Sequence, residues 1–126
     1  MKHRALIAML FTLLAACQSK TGNQSNTSDQ NTMEQTAERS AIERLLYAYR
    51  DALNASDVSK VLPLYTDDGI FMPSNAPSAI GQEQVKASYE FVFKSIQLSI
   101  EFYIDEVVVN GDYAFARTTS RGTTLI

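Results

Sequence analysis

Residues 97–120, QLSIEFYIDEVVVNGDYAFARTTS, decide the fold of this chain. Every second residue from Leu98 to Ile104 is apolar, which is the period of a strand that packs one face and exposes the other. The pair Asp105-Glu106 interrupts this alternation, so we expect a bulge or bend there. Asn110-Gly111-Asp112 is typical of a tight hairpin, because these residues tolerate positive backbone angles. The stretch therefore predicts two antiparallel strands, the second running over Tyr113–Ser120.

Two helices are predicted well before these strands. Residues 38–53 have apolar side chains at helical spacing and charged side chains on the opposite face. The helix is expected to end at Asn54, and Ser56 or Asp57 can cap a second, shorter helix that follows. Pro63 lies within this second element and lacks a backbone donor, so we expect that helix to be short or irregular.

The segment between these helices and the hairpin predicts one short strand and a third helix. The strand is the apolar run Ile70-Phe71-Met72, and a loop follows over residues 73–81. After Gly81, apolar residues at helical spacing predict a helix that ends near Ser95. Helices in the first part and antiparallel strands in the second favour an α+β fold with the helices on one face of the sheet.

The N-terminal residues 1–16 are typical of an export signal. Lys2 and Arg4 supply positive charge, and the apolar run that follows is too short to span a bilayer. The run ends in Leu14-Ala15-Ala16-Cys17, which resembles the lipobox of bacterial lipoproteins and predicts a lipid on Cys17, the chain's one cysteine. Gln18 follows it, and by resemblance to Gram-negative lipoproteins we expect a periplasm-facing location at the outer membrane. The alternative is an ordinary secretory signal with an incidental thiol.

Residues 17–37 are polar, rich in Ser, Thr, Asn and Gln, with Met33 as one large apolar side chain. Such a segment buries too little apolar surface to offset its conformational entropy. We therefore predict a flexible tether over residues 17–37 and a folded domain over residues 38–126.

Composition excludes several classes of function. The 126-residue chain has 11 basic and 14 acidic side chains, a net charge of −3, and no basic cluster, which argues against nucleic acid. His3, the single histidine, lies in the predicted signal, so we expect no transition-metal site and no histidine-activated nucleophile. No glycine-rich phosphate loop is present, so we expect no nicotinamide or flavin cofactor.

The order of elements and two segments resemble a known superfamily. Residues 49–85, YRDALNASDVSKVLPLYTDDGIFMPSNAPSAIGQEQV, and residues 104–123, IDEVVVNGDYAFARTTSRGT, are similar to the nuclear transport factor 2-like superfamily, which includes SnoaL-type cyclases and ketosteroid isomerases. Within it they look most like the SgcJ/EcaC set. The resemblance covers residues 38–126 and implies a cone-shaped domain, with three helices on a curved antiparallel sheet. Because chains of the family continue for two more strands, we expect the last strands to be missing here.

The resemblance also implies where a site would lie. In the isomerase relatives a helical tyrosine and a late carboxylic acid donate hydrogen bonds to a developing enolate, and another carboxylate moves the proton. The tyrosine position falls on Tyr49 and the base position on Met72 or Pro73, neither of which can move a proton. The late acid would lie beyond the C-terminal residue of the sequence.

We therefore expect a binding module for a small, largely apolar ligand, with an isomerase, cyclase or dehydratase acting on a hydrophobic carbonyl compound as the alternative. By resemblance the strand face carrying Phe115, Arg117 and Thr119 looks into the cone. Arg117 would then meet a ligand oxygen, or else it points outward or pairs with Asp105 or Glu106. Tyr49 can equally be a core residue, and the outer sheet face can support a homodimer. The predicted ligand-binding residues are Tyr49, Phe71, Met72, Tyr89, Phe93, Phe102, Phe115, Arg117 and Thr119.

Overall fold

The structure, a computed structural model, describes the backbone of residues 25–126 and the side chains of residues 29–126. The predicted signal peptide and Cys17 lie outside the described residues. The elements in chain order are α1 (Ser25–Asn54), α2 (Val58–Val61), a 3-10 turn (Leu62–Leu64), β1 (Ile70–Phe71), β2 (Ala79–Ile80), α3 (Gly81–Ser95), β3 (Gln97–Asn110) and β4 (Tyr113–Leu125). In residues 25–126, no helix combines the length and the apolar character that crossing a membrane requires.

Helix α1 begins earlier than the sequence pattern predicted. It includes residues 25–37, which we had assigned to the flexible tether. The described side chains of residues 29–37 are all exposed, and Met33 is 70% exposed. Residues 29–37 therefore contribute no buried side chain. They continue the helix that the amphipathic residues after them establish. Adding a residue to an existing helix costs far less than nucleating a new one, which is the effect that composition alone did not weigh.

The boundary between α1 and α2 is as predicted. Helix α1 ends at Asn54, and Asp57 caps α2 by accepting a hydrogen bond from the Lys60 backbone amide at 3.3 Å. Ser56 has a φ of 51°, which is the left-handed conformation that reverses the chain between the helices. Pro63 lies in the 3-10 turn that follows, so the predicted irregularity is confirmed.

A short strand that the sequence pattern did not show lies in the predicted loop over residues 73–81. Ala79–Ile80 pairs with Ile70–Phe71 in an antiparallel two-residue ladder. The backbone amide of Gly81 donates to the Gly69 carbonyl at 2.9 Å, and Gly81 has a φ of 77° where the chain turns into α3. Two residues are too few for a hydrophobic period, so pairing alone defines this strand.

Strands β3 and β4 form a long antiparallel ribbon with the predicted hairpin at Gly111. The register shifts between Ile104 and Glu106, so the predicted irregularity at Asp105 is confirmed as a bulge. Gly122, opposite Ile100, has a φ of 153°, and a Cβ added there would lie 2.1 Å from the Ser99 carbonyl oxygen. The close approach of the two backbones at this point therefore requires glycine.

The register assigns each residue of the ribbon to one of two faces. Phe102 contacts Tyr49 of α1, so the face that carries Phe102 is the helix-facing side, and we call the opposite side the outer face. The hydrophobic core lies at the C-terminal half of α1, between α2, α3 and the start of β3. Among the described residues, the buried side chains are Ala52, Leu53, Val61, Ala79, Val85 and Tyr89. The predicted α+β class, with three helices and antiparallel strands, is confirmed.

Candidate functional site

The first residue of the site is Tyr49 on α1. Two nearby residues of the same helix, Arg50 and Asn54, hold α1 against β3 through polar contacts. The Asn54 amide pairs with both backbone groups of Ile100: its nitrogen donates to the carbonyl at 2.8 Å and its oxygen accepts from the amide at 2.8 Å. Arg50 donates to the Glu101 carboxylate at 2.9 Å. These contacts fix the rotation of α1, so Tyr49 lies against Phe102 with ring centroids 6.0 Å apart.

Tyr89 comes from α3 and is the largest fully buried side chain in the described residues, at 1% exposed. Its ring stacks on Phe71 of β1, with centroids 4.6 Å apart and planes inclined by 28°. Phe93, one helical turn later, contacts the same ring at 5.6 Å. Apolar packing on the ring therefore sets the position of the Tyr89 hydroxyl.

Tyr65 follows the 3-10 turn and reaches the same point from a third direction. Its backbone amide donates to the Leu62 carbonyl at 3.1 Å. The side-chain amide of Gln82 donates to the carbonyls of Tyr65 at 3.1 Å and Thr66 at 3.2 Å, which ties this segment to α3. The Tyr65 and Tyr89 rings meet edge to face, with centroids 6.1 Å apart.

The three phenol hydroxyls form one hydrogen-bonded group, which we call the tyrosine cluster: Tyr49, Tyr65 and Tyr89. The Tyr89 oxygen is central, 2.5 Å from that of Tyr49 and 2.9 Å from that of Tyr65. Each phenol has one proton to donate and can also accept. Two of the three protons are used inside the cluster, so one remains for a group outside it.

Burial keeps the phenols of Tyr49 and Tyr89 neutral. Desolvation raises the pKa of Tyr49 to about 12, against a smaller lowering effect from its hydrogen bond with Tyr89. The pKa of Tyr89 is also raised, first by desolvation and then by its hydrogen bonds to Tyr49 and Tyr65. At neutral pH these two phenols therefore keep their protons and remain hydrogen-bond donors.

A cavity adjoins the outer two members of the cluster. It has a volume of about 180 Å³ and is lined by Leu45, Tyr49, Leu64 and Tyr65. Two leucine walls and two phenols are the usual composition of a small-molecule site, apolar with a few polar groups that orient the ligand. A second, larger groove of about 570 Å³ lies between the β1–β2 loop and α3, and Phe71 forms part of its wall.

The structure brings together five of the predicted ligand-binding residues and separates the other four. Tyr49, Phe71, Tyr89, Phe93 and Phe102 are linked by ring contacts around the tyrosine cluster. Met72 is 75% exposed, and Phe115, at 58%, is exposed on the outer face together with Arg117 and Thr119.

The orientation expected for Arg117 is therefore corrected. The pairing of Glu106 with Arg117 places both on the outer face. The guanidinium lies 3.5 Å from the Asp105 carboxylate and 3.6 Å from that of Glu106, the arrangement that the sequence had left as an alternative. Thr119 donates to the same Asp105 carboxylate at 2.8 Å. The sequence did not predict which residues of β4 face the helices, because those residues are small or carry a hydroxyl group and form no apolar pattern. They are Ala114, Ala116, Thr118 and Ser120.

Tyr65 is the member of the tyrosine cluster that the sequence analysis did not predict. It was not placed among the predicted ligand-binding residues. Its chemistry could have indicated this position, because a tyrosine on a buried face needs a hydrogen-bond partner for its hydroxyl. Tyrosines on three separate predicted elements could have supplied that partner to each other.

In the described residues, neither a hydrogen-bonded carboxylate nor a group of metal ligands lies at the tyrosine cluster. None of the hydrogen bonds that these three hydroxyls make in the described part of the chain involves a carboxylate. Within the same residues, no three His, Cys, Asp or Glu side chains lie close enough together to hold a metal ion. What the arrangement can do is hold an apolar body and donate a hydrogen bond to it.

Comparison with known proteins identifies the family and the fold of this chain. The SnoaL-like domain family matches residues 46–126. A solved structure of a ketosteroid isomerase-like protein from Erwinia carotovora atroseptica SCRI1043 is 36% identical, with a TM-score of 0.63. The match covers 66% of this chain, and this chain spans 65% of the length of that one. No match was found among curated proteins. The chain therefore belongs to the SnoaL-like domain family, and its α+β fold is that of the nuclear transport factor 2-like superfamily.

Proposed function

We propose that this protein binds a small, neutral, largely apolar molecule that carries a carbonyl or hydroxyl oxygen, at the tyrosine cluster. The observation that carries the proposal is the chain of three phenol hydroxyls that adjoins a cavity with leucine walls. A hydrogen-bonded group of this kind inside an apolar wall fixes the orientation of a ligand that apolar contact alone would leave free.

The charge of the ligand follows from the groups around the cavity. Arg117, the cation that would have favoured an acidic ligand, pairs with Asp105 and Glu106 on the outer face. The cavity lining contains two leucines and two tyrosines, so it has no charge to balance a carboxylate. A buried charge without a partner is costly, and the site therefore selects neutral molecules.

The volume of the cavity sets the size of the part that enters it. A cavity of about 150 Å³ holds one benzene ring. The cavity beside Tyr49 and Tyr65, at about 180 Å³, therefore has room for one six-membered ring with a small substituent. The oxygen of that substituent accepts the proton that the cluster does not use internally.

The test compares binding of 4-methylphenol and cyclohexanone with that of their oxygen-free counterparts toluene and methylcyclohexane. Ligand-observed NMR on the full chain should show saturable binding of the oxygenated compounds, tighter than that of the counterparts. The double variant Tyr49→Phe, Tyr65→Phe should lose roughly five- to tenfold in affinity, the worth of about one hydrogen bond. Tyr113→Phe, at the exposed tip of the hairpin, is the matched control. Equal binding of both sets, or a double variant that binds as well as the control, would refute the proposal.

Catalysis by an isomerase, cyclase or dehydratase mechanism is the second candidate. It is favoured by the neutral phenol donors, since a preorganised donor stabilises an oxygen that gains negative charge. The positions expected for a base, Met72 and Pro73, cannot accept a proton, so we place binding first. Exchange of the α-protons of cyclohexanone in D₂O separates the two: exchange no faster than in buffer supports binding, and faster exchange that depends on Tyr49 supports an enzyme.

We also propose that the domain is attached to a bacterial membrane through a lipid on Cys17. Support comes from the sequence, where the apolar run of residues 5–16 ends in Leu14-Ala15-Ala16-Cys17. Gln18 favours the outer membrane, with the domain in the periplasm. A binding module held in the envelope would capture apolar molecules where they leave or enter the lipid phase.

A further inference from the structure

We infer that the groove between the β1–β2 loop and α3 is a second ligand site, for an uncharged molecule of about three rings that carries a carbonyl oxygen. Among the described residues, the groove shares no lining residue with the cavity beside Tyr49 and Tyr65. Its volume of about 570 Å³ lies within the range of about 300–1,000 Å³ that is usual for small-molecule sites. One benzene ring occupies a cavity of about 150 Å³, so three rings need about 450 Å³. Such a molecule fits the groove but not the cavity of about 180 Å³ at the tyrosine cluster.

The loop wall of the groove is held in place by its own backbone. The antiparallel pairing of β1 with β2 joins the two ends of the loop. Pro73 and Pro77 lie between these ends and line the groove, and the proline ring restricts the backbone at each position. Phe71 completes this wall, and its ring is fixed by stacking on Tyr89 with centroids 4.6 Å apart. The apolar wall therefore exists before a ligand binds, so little ordering opposes binding.

The helix wall of the groove supplies hydrogen-bonding groups. Gln84 and Ser88 are four residues apart on α3, so their side chains lie on the same face of the helix. The Gln84 side-chain oxygen accepts a hydrogen bond from the Ile80 backbone amide at 3.0 Å, which leaves the side-chain NH₂ group to donate. In the described part of the chain, the Ser88 hydroxyl makes no hydrogen bond. Both groups can donate to a carbonyl oxygen in the groove.

The groove offers no charge to a ligand. The described residues that line it include no acidic or basic side chain. On α3, Lys86 and Glu90 do not line the groove, and they pair with each other, with Nζ and Oε1 3.8 Å apart. An ion that entered the groove would lose water without gaining a partner of opposite charge. The groove therefore selects uncharged molecules.

Phe91 favours a flat ring system as the occupant. It lines the groove from α3 and is 73% exposed, so a large aromatic surface is in contact with solvent there. An exposed apolar patch beside a groove is typical of a ligand-binding site. Aromatic rings gain from contact with one another beyond the area that they bury. A flat molecule with several rings would cover Phe91 and contact Phe71 in the opposite wall.

The test uses 9-fluorenone, which has three fused rings and one carbonyl, and fluorene, the same ring system without the oxygen. Ligand-observed NMR on the full chain should show saturable binding of 9-fluorenone. Ala87→Trp should weaken this binding by roughly tenfold or more, because the indole would fill the groove that the exposed Ala87 lines. Ala41→Trp, at an exposed position of α1 outside the groove, is the matched control and should bind as the wild type does. Unchanged circular dichroism confirms that both variants fold.

The same measurement tests the hydrogen bond and the charge. Gln84→Glu keeps an acceptor for the Ile80 amide but removes the NH₂ donor. It should therefore lower the affinity for 9-fluorenone roughly five- to tenfold and change that for fluorene little. 9-Fluorenone-4-carboxylate should bind more weakly than 9-fluorenone, because no cation lines the described groove.

The tyrosine cluster is separated from the groove by the size of the probe. The double variant Tyr49→Phe, Tyr65→Phe should bind 9-fluorenone as the wild type does, since three rings exceed the cavity that these residues line. A loss of binding in this variant would place the probe at the tyrosine cluster and overturn the second site. Absence of saturable binding, binding that Ala87→Trp leaves unchanged, or an equal effect of Gln84→Glu on 9-fluorenone and fluorene would overturn the proposal as well.

Discussion

At the scale of single residues, the hydroxyl of Tyr89 holds the tyrosine cluster together. It bonds to both Tyr49 and Tyr65, so Tyr89→Phe leaves those two hydroxyls without their shared partner. We expect the free energy of unfolding at pH 7 to fall by about 1–3 kcal/mol. Urea denaturation measures it, with Tyr113→Phe as the exposed control.

The raised pKa of Tyr89 gives this prediction a pH dependence. A phenol whose pKa is higher in the folded chain stabilises the fold below its unfolded pKa of about 10. That contribution is lost as pH rises, because the unfolded chain releases the proton first. Between pH 7 and pH 10.5 the free energy of unfolding should therefore fall more for the wild type than for Tyr89→Phe. The difference in free energy of unfolding between the two proteins should be smaller at pH 10.5 than at pH 7. A difference of the same size at both pH values would show that ring packing, and not the hydroxyl, explains the variant.

Residue patterns predicted the position of Tyr49 but not the identity of its partners. Helical spacing alone placed Tyr49 on the packed face of α1, and the structure confirms that placement. Tyr65 and Arg117 could not be placed in the same way, because each depends on how separate elements meet. The side to which Arg117 points is fixed by the β3–β4 register, which alternation within a single strand does not determine.

At the scale of elements, Asn54 is the connection that docks α1 on β3. Its side chain satisfies the amide and the carbonyl of Ile100 together, as a neighbouring strand would. Asn54→Ala leaves both backbone groups without this partner, and we expect a loss of about 1–3 kcal/mol in the free energy of unfolding. Asn31→Ala, on an exposed turn of α1, should change it little. Thermal and urea denaturation of both variants provide the comparison, and equal stability of the two would mean that packing alone docks the helix.

The elements themselves could largely be predicted from the sequence, because most are long enough to show a period or have a clear boundary. The end of α1 at Asn54, the cap at Asp57, helix α3 and the bulge at Asp105 all follow from local chemistry. Strand β2 has two residues and exists only through its pairing with β1, so no local pattern marks it. The early start of α1 was missed for a related reason, since the side chains of residues 29–37 are exposed and form no apolar face that a hydrophobic pattern could reveal.

At the scale of the whole molecule, the core is small and lies far from the beginning of α1. The buried side chains come from residues 52–89, whereas residues 29–37 are exposed on every side of the helix. Residues 25–38 span about 21 Å at 1.5 Å per residue. If Cys17 carries a lipid, this helical segment lies between the anchor and the ligand cavity and acts as a spacer.

This arrangement predicts which residue holds the protein at a membrane. Cys17→Ser should move it from the membrane fraction to the soluble fraction of cells, since acyl chains on the cysteine supply the binding energy. Met33→Ser is the control, because Met33 is the one large apolar side chain among residues 29–36 and is 70% exposed. That variant should stay membrane-bound. Intact mass spectrometry of the wild type should show loss of residues 1–16 and the added mass of acyl chains. Membrane attachment that survives Cys17→Ser, or that Met33→Ser abolishes, would assign attachment to the helix and refute the lipid anchor.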